Sequence, residues 1–147
     1  MTPGTLVLLG SPLPGGLADA LRTHRLQVVA THPAEDAGPR YVAGVALAIG
    51  ATAPTPPLVL VATGLAGPLL PAVAAAQRAA HRLVGGYVFI DTDLPTPAGD
   101  WPDAPCGYLS TLPADERARR ATIRGWSVAE TEAGALPDAL RLMIASL

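Results

Sequence analysis

Apolar positions in this chain fall in short runs rather than in alternation. Residues 5–9 read Thr-Leu-Val-Leu-Leu and are closed by Gly10, Pro12, Pro14, Gly15 and Gly16. A continuous apolar run stopped by Gly/Pro turns fits a strand covered on both faces, as in a parallel sheet. Residues 17–24 then take helical spacing, with Leu17, Ala20 and Leu21 on one face. Residues 27–30 predict a second strand, 31–39 a polar loop, and 40–49 a second helix. The run at 57–61 predicts a third strand, 62–67 a tight turn of small residues, and 68–81 a helix. Pro68 suits the start of that helix, where its missing N–H costs nothing. Residues 87–90 predict a fourth strand leading into Asp91 and Asp93, and 94–105 a loop rich in Pro, Gly and Asp. Strands at 106–110 and 127–130 enclose a charged helix at 114–124, and a helix at 135–146 follows with Leu136, Leu140 and Met143 on its apolar side. This alternation implies a single domain over residues 1–147, a doubly wound, mostly parallel α/β sheet of about six strands.

Composition narrows the picture. Half the residues are hydrophobic (50%) but only 4% are aromatic, so Ala, Leu, Val and Gly must do most of the packing. The net charge of -2 comes without any basic block, so long-range charge draws in neither nucleic acid nor an anionic membrane. The lone Cys106 allows no internal disulfide and no cysteine-based metal framework, and no metal or cofactor is expected. The longer apolar runs are broken by Pro or Gly and are too short to span a bilayer, and no signal-peptide pattern stands at the start. A cytoplasmic protein is expected.

Three segments together carry a family resemblance. The first runs Leu58-Val59-Leu60-Val61-Ala62-Thr63-Gly64-Leu65-Ala66-Gly67-Pro68; the second is Tyr87-Val88-Phe89-Ile90-Asp91 with Leu94-Pro95. The third is Trp101-Pro102-Asp103-Ala104-Pro105-Cys106-Gly107-Tyr108-Leu109, followed by Arg124-Gly125-Trp126-Ser127-Val128. In this order they resemble the α/β-hydrolase superfamily, in a shortened, actinobacterial-type form. The resemblance implies a nucleophile elbow after the third strand, in which small residues flank a serine because the turn is tight. Here the small flanks are Ala62 and Ala66, and Gly64 stands where the serine would be. Residues 130–136, which match the family's histidine loop, hold no histidine, and the lid between Ile90 and Cys106 is reduced to a short loop. What the resemblance implies is therefore a hydrolase-like core with neither lid, catalytic serine nor catalytic histidine.

The same resemblance gives the loop holding Ser11 and Leu13 a share of an oxyanion pocket, with the Leu65 N–H supplying the rest. Read from the residues alone, that loop is an anion site, a carbonyl pocket or a plain tight turn. Asp91 and Asp93 stand just past a strand's carboxyl end, as an acid–base pair or as loop caps. Trp101, between Asp100 and Asp103, is positioned to stack on a planar ligand or to sit in a solvated turn. His32 follows the second strand on the ligand-binding edge, His24 and His81 fall at helix ends, and Cys106 reads as a buried thiol. The expected site thus joins catalytic Asp91 and Asp93 to ligand-binding Ser11, Leu13, His32, Thr63, Gly64, Leu65 and Trp101. Such a pocket fits a non-hydrolytic cyclase, isomerase or lyase acting on a small hydrophobic biosynthetic intermediate. It equally fits a pseudoenzyme that binds a ligand or a partner, as a homodimer or with another biosynthetic protein. Residual acyl transfer through Ser11, Thr63 or Cys106 is a third reading.

Overall fold

Each of the six apolar runs becomes a strand. The computed structural model describes residues 1–10, 13–31, 39–97 and 99–147. The strands are β1 (Thr5–Leu9), β2 (Val28–Ala30), β3 (Leu58–Thr63), β4 (Val84–Ile90), β5 (Cys106–Ser110) and β6 (Ser127–Glu130). They form one sheet in the order β2-β1-β3-β4-β5-β6, and every neighbouring pair is parallel. Between them lie α1 (Leu17–Thr23), α2 (Pro39–Ala51), α3 (Leu70–Ala79), α4 (Glu116–Ile123) and α5 (Leu136–Ser146). Short 3₁₀ turns at Gly67–Leu69 and Ala133–Ala135 lead into α3 and α5. No helix among the described residues is long and apolar enough to cross a membrane.

Every residue of β1 and β3 is buried, as the unbroken apolar runs require of central parallel strands. Alternate side chains separate into two cores. Val7, Leu9, Leu60, Ala62, Phe89 and Tyr108 pack under α2, α3 and α4. Leu6, Leu8, Val59, Val61, Ile90 and Leu109 pack under α1 and α5, in a core that is aliphatic apart from Met143. Gly107 lets α5 come close, because a Cβ there would collide with Met143.

The crossover from β4 to β5, residues 91–105, contains no described helix. Aromatic side chains cover the sheet in its place. Trp101 is 5% exposed and meets Tyr87, Phe89 and Trp126 edge-on, with ring centroids 5.3, 6.2 and 6.0 Å away. Phe89 stacks on Trp126 at 5.0 Å.

Candidate functional site

The strand order turns around at β1. The chain leaves β1 for α1 on one face of the sheet and leaves β3 for α3 on the other. Two connections that part in this way open a crevice beyond the carboxyl ends of the strands, the usual ligand position in open α/β sheets. Gly10, with φ of 132°, ends β1 so close to β3 that a Cβ would collide with the Thr63 carbonyl and hydroxyl. The hydroxyl of Thr63 donates to the Leu9 carbonyl at 3.2 Å, and that of Thr31 donates to the Leu8 carbonyl at 3.0 Å. Tyr41 enters from the first turn of α2 and is 4% exposed. Its hydroxyl is buried and has no hydrogen-bond partner among the described residues. Burial raises the Tyr41 pKa and outweighs the Thr31 side chain and the Gly10 backbone, which favour the phenolate. The group is therefore a neutral O–H donor across the physiological range.

The turn after β3 is tight. Gly64 sits at φ of 58° and the Ala66 N–H closes on the Thr63 carbonyl at 3.1 Å. Fully buried Thr92, just past β4, locks this turn by donating to the Gly64 carbonyl at 2.6 Å and accepting from the Gly67 N–H at 3.1 Å. Leu65 is largely exposed, and no hydrogen bond engages its N–H among the described residues. Leu13 is half-buried against the α1/α5 core.

The two carboxylates expected to act together have separate partners. Asp91 adopts φ of 47°, and its carboxylate accepts the Thr111 N–H at 2.9 Å and the Thr111 hydroxyl, tying the end of β4 to the end of β5. Asp93 is exposed and lies 3.8 Å from the Arg117 guanidinium. Asp115 is the busier acid. It caps α4 through the Arg117 N–H and accepts from Tyr108 at 2.8 Å, Ser110 at 3.0 Å and Arg117 Nε at 3.1 Å. Burial pushes its pKa up, but these donors outweigh that and hold it below the usual carboxylate range. A second crevice of about 500 Å³ opens beside this cluster, lined by Thr111, Leu112, Glu130 and Glu132 among others.

The remaining candidates lie elsewhere. Trp101 has no free face for a planar ligand, since three aromatic rings surround it in the core. Its neighbour Asp103 accepts from Tyr87 at 2.5 Å and pairs with Arg78 at 2.9 Å. Cys106 opens β5 at the opposite end of the sheet, and burial, with Asp103 nearby, pushes its thiol up to about 12. His24 faces Asp138 at 4.0 Å. Ser11 and His32 lie outside the described residues. Sequence reasoning missed Tyr41, Thr92 and Asp115. The i, i+4, i+8 set of Tyr41, Val45 and Ile49 marked the buried side of α2, and Asp115 before Glu116 was a readable helix cap.

The fold defines the class: a parallel α/β protein whose strand order reverses at β1. No family model, curated protein or solved structure matches this chain.

Proposed function

We propose that this chain is a ligand-binding protein on an α/β-hydrolase-like core without a nucleophile. It holds a small, largely apolar molecule by an oxygen acceptor in the crevice between β1 and β3. The observation that carries this reading is the buried Tyr41 hydroxyl: the Thr31 side chain and the Gly10 backbone stand close enough to bias it toward the phenolate, but neither meets full hydrogen-bond geometry, so it has no satisfied partner among the described residues. A buried donor left unmade costs about 1–3 kcal/mol, so a carbonyl or hydroxyl oxygen from a ligand is a fitting partner. The Leu65 N–H beyond β3, which no described residue engages, offers a second donor on the same edge. A cytoplasmic setting fits the single, buried thiol.

Native mass spectrometry of the protein, before and after incubation with extract of its host cells, tests this. One retained molecule per chain is expected, with retention weakened about tenfold in Tyr41→Phe, the loss of one hydrogen bond. A chain that stays bare, or a variant that retains the molecule equally well, overturns the reading.

The catalytic alternative, a cyclase, isomerase or lyase, adds a proton-moving base to this donor. Asp91 is its candidate, and it would have to give up Thr111 to serve. Once a retained molecule is known, turnover abolished in folded Asp91→Asn favours that alternative over simple binding.

A further inference from the structure

The two margins of the sheet are finished differently. Along a strand, the backbone N–H and carbonyl of successive residues turn alternately to one side and the other. At the β2 margin the Val28 carbonyl turns outward and is covered, because the Arg22 guanidinium donates to it at 3.3 Å. At the β6 margin the Thr131 N–H donates inward to the Ser110 carbonyl at 2.9 Å, at the end of the ladder to β5. Ser127 and Ala129 share that inward direction, so the N–H and carbonyl groups of Val128 and Glu130 turn outward. No described residue engages these outward groups. Ser127, Ala129 and Glu130 are exposed, and β6 holds no proline, lysine or glycine to blunt the edge. One margin is guarded and the other is open.

We infer that β6 is a dimerisation edge, along which two copies of the chain pair antiparallel and join their sheets into one. Such a contact requires an edge complementary to itself. A two-fold axis at Ala129 supplies it: Val128 of each copy lies opposite Glu130 of the other, and every outward N–H meets an outward carbonyl. Charge agrees. Val128 and Glu130 stand on the α4 face of the strand, where they and Arg119 line a groove of about 390 Å³. Pairing sets Glu130 of one copy beside Val128 of the other, over the groove that holds Arg119. There it brings a second acid to an exposed guanidinium that, among the described residues, pairs with Glu116 at 3.3 Å. Arg117 and Arg124 turn the other way, to Asp93 and the Pro95 carbonyl on the crossover. An edge of four residues is a small contact, so the dimer belongs with weak, transient interfaces, with a dissociation constant of about 10–100 μM. With β4 and β5 between, this inference does not depend on what the β1/β3 crevice binds.

Sedimentation velocity of the purified chain, from about 5 to about 500 μM, tests it. The mass should rise across that range from 14.9 kDa toward twice that value. Glu130→Lys sets like charges against Arg119 and should raise the dissociation constant about tenfold or more. Combining it with Arg119→Glu exchanges the two charges and should recover most of that loss. Both positions are exposed, and far-UV circular dichroism checks that each variant is folded. Hydrogen exchange at the Val128 and Glu130 amides supplies a local readout and should slow as concentration rises. A chain that stays monomeric throughout overturns the inference, as does a dimer that Glu130→Lys leaves intact or a loss that the exchanged charges do not recover. Exchange at those two amides that ignores concentration overturns it too, as does a complex with a different protein in place of self-association.

Discussion

At single positions, backbone conformation decides what chemistry is possible. Gly64 holds the apex of the β3 turn at φ of 58°, a region that costs other L-residues about 1–2 kcal/mol. Gly64→Ser should therefore fold with roughly 1 kcal/mol less stability by urea titration. It should show no hydrolysis of p-nitrophenyl acetate, because a hydroxyl added there finds no base to activate it. Gly10→Ala is a harsher change, since its Cβ would meet backbone atoms of Thr63 that cannot move aside. Cys106 gives a separate reading of burial. With its thiol pushed up to about 12, it should resist iodoacetamide at pH 8 in the native protein and react fully once unfolded. The resemblance placed Thr63, Gly64 and Leu65 at a tight turn because small residues at fixed spacing are a local signal. Tyr41 was illegible for the opposite reason. Its significance rests on Gly10 and Thr31, which come from other segments of the chain.

Among elements, most of the strands and helices were written in the apolar runs. β1, β5 and β6 occupy residues 5–9, 106–110 and 127–130, where the pattern puts them. β4 starts earlier than expected, at Val84, because Gly85 and Gly86 interrupt the apolar run while the ladder to β3 continues. The longest disagreement is the crossover from β4 to β5. Its Pro, Gly and Asp content correctly predicted a loop, but not that Trp101 would turn inward and serve in place of a helix. Trp101→Ala should lower stability by about 3–5 kcal/mol in urea unfolding, the range for a buried large aromatic. A pocket residue would leave stability nearly unchanged. Asp115→Ala removes the cap of α4 and strands the Tyr108 hydroxyl, so a loss of about 3 kcal/mol is expected by the same measurement.

For the whole molecule, two tyrosine–aspartate pairs set a window of pH. In Asp103, burial pushes the pKa up, but Tyr87, a backbone group and Arg78 more than reverse it, as the donors do for Asp115. A carboxylate held low in the folded state stabilises above its unfolded pKa, about 3.9, and that contribution is lost as pH falls through the folded value. Tyr87 and Tyr108 are raised, chiefly by burial and then by their hydrogen bonds to these acids. Their contribution is present below about 10, the unfolded value, and is lost as pH rises beyond it. Melting temperature should therefore fall below about pH 4 and again above about pH 10. Asp115→Asn should lower the plateau and soften the acid limb. None of this window was visible in the sequence, which specified a parallel sheet but not which strands would be neighbours.

The aromatic cluster over the β4–β5 crossover also makes the protein its own reporter. Its only two tryptophans, Trp101 and Trp126, lie 6.0 Å apart between ring centroids, at 83°, and no aromatic ring enters the α1/α5 core. Tryptophan fluorescence therefore watches one end of one face, whereas far-ultraviolet dichroism averages all helices and strands. If the two optical signals melt together, the sheet comes apart as one cooperative body. If emission changes first, the half carrying β4, β5 and α4 loosens while the half around the crevice still stands.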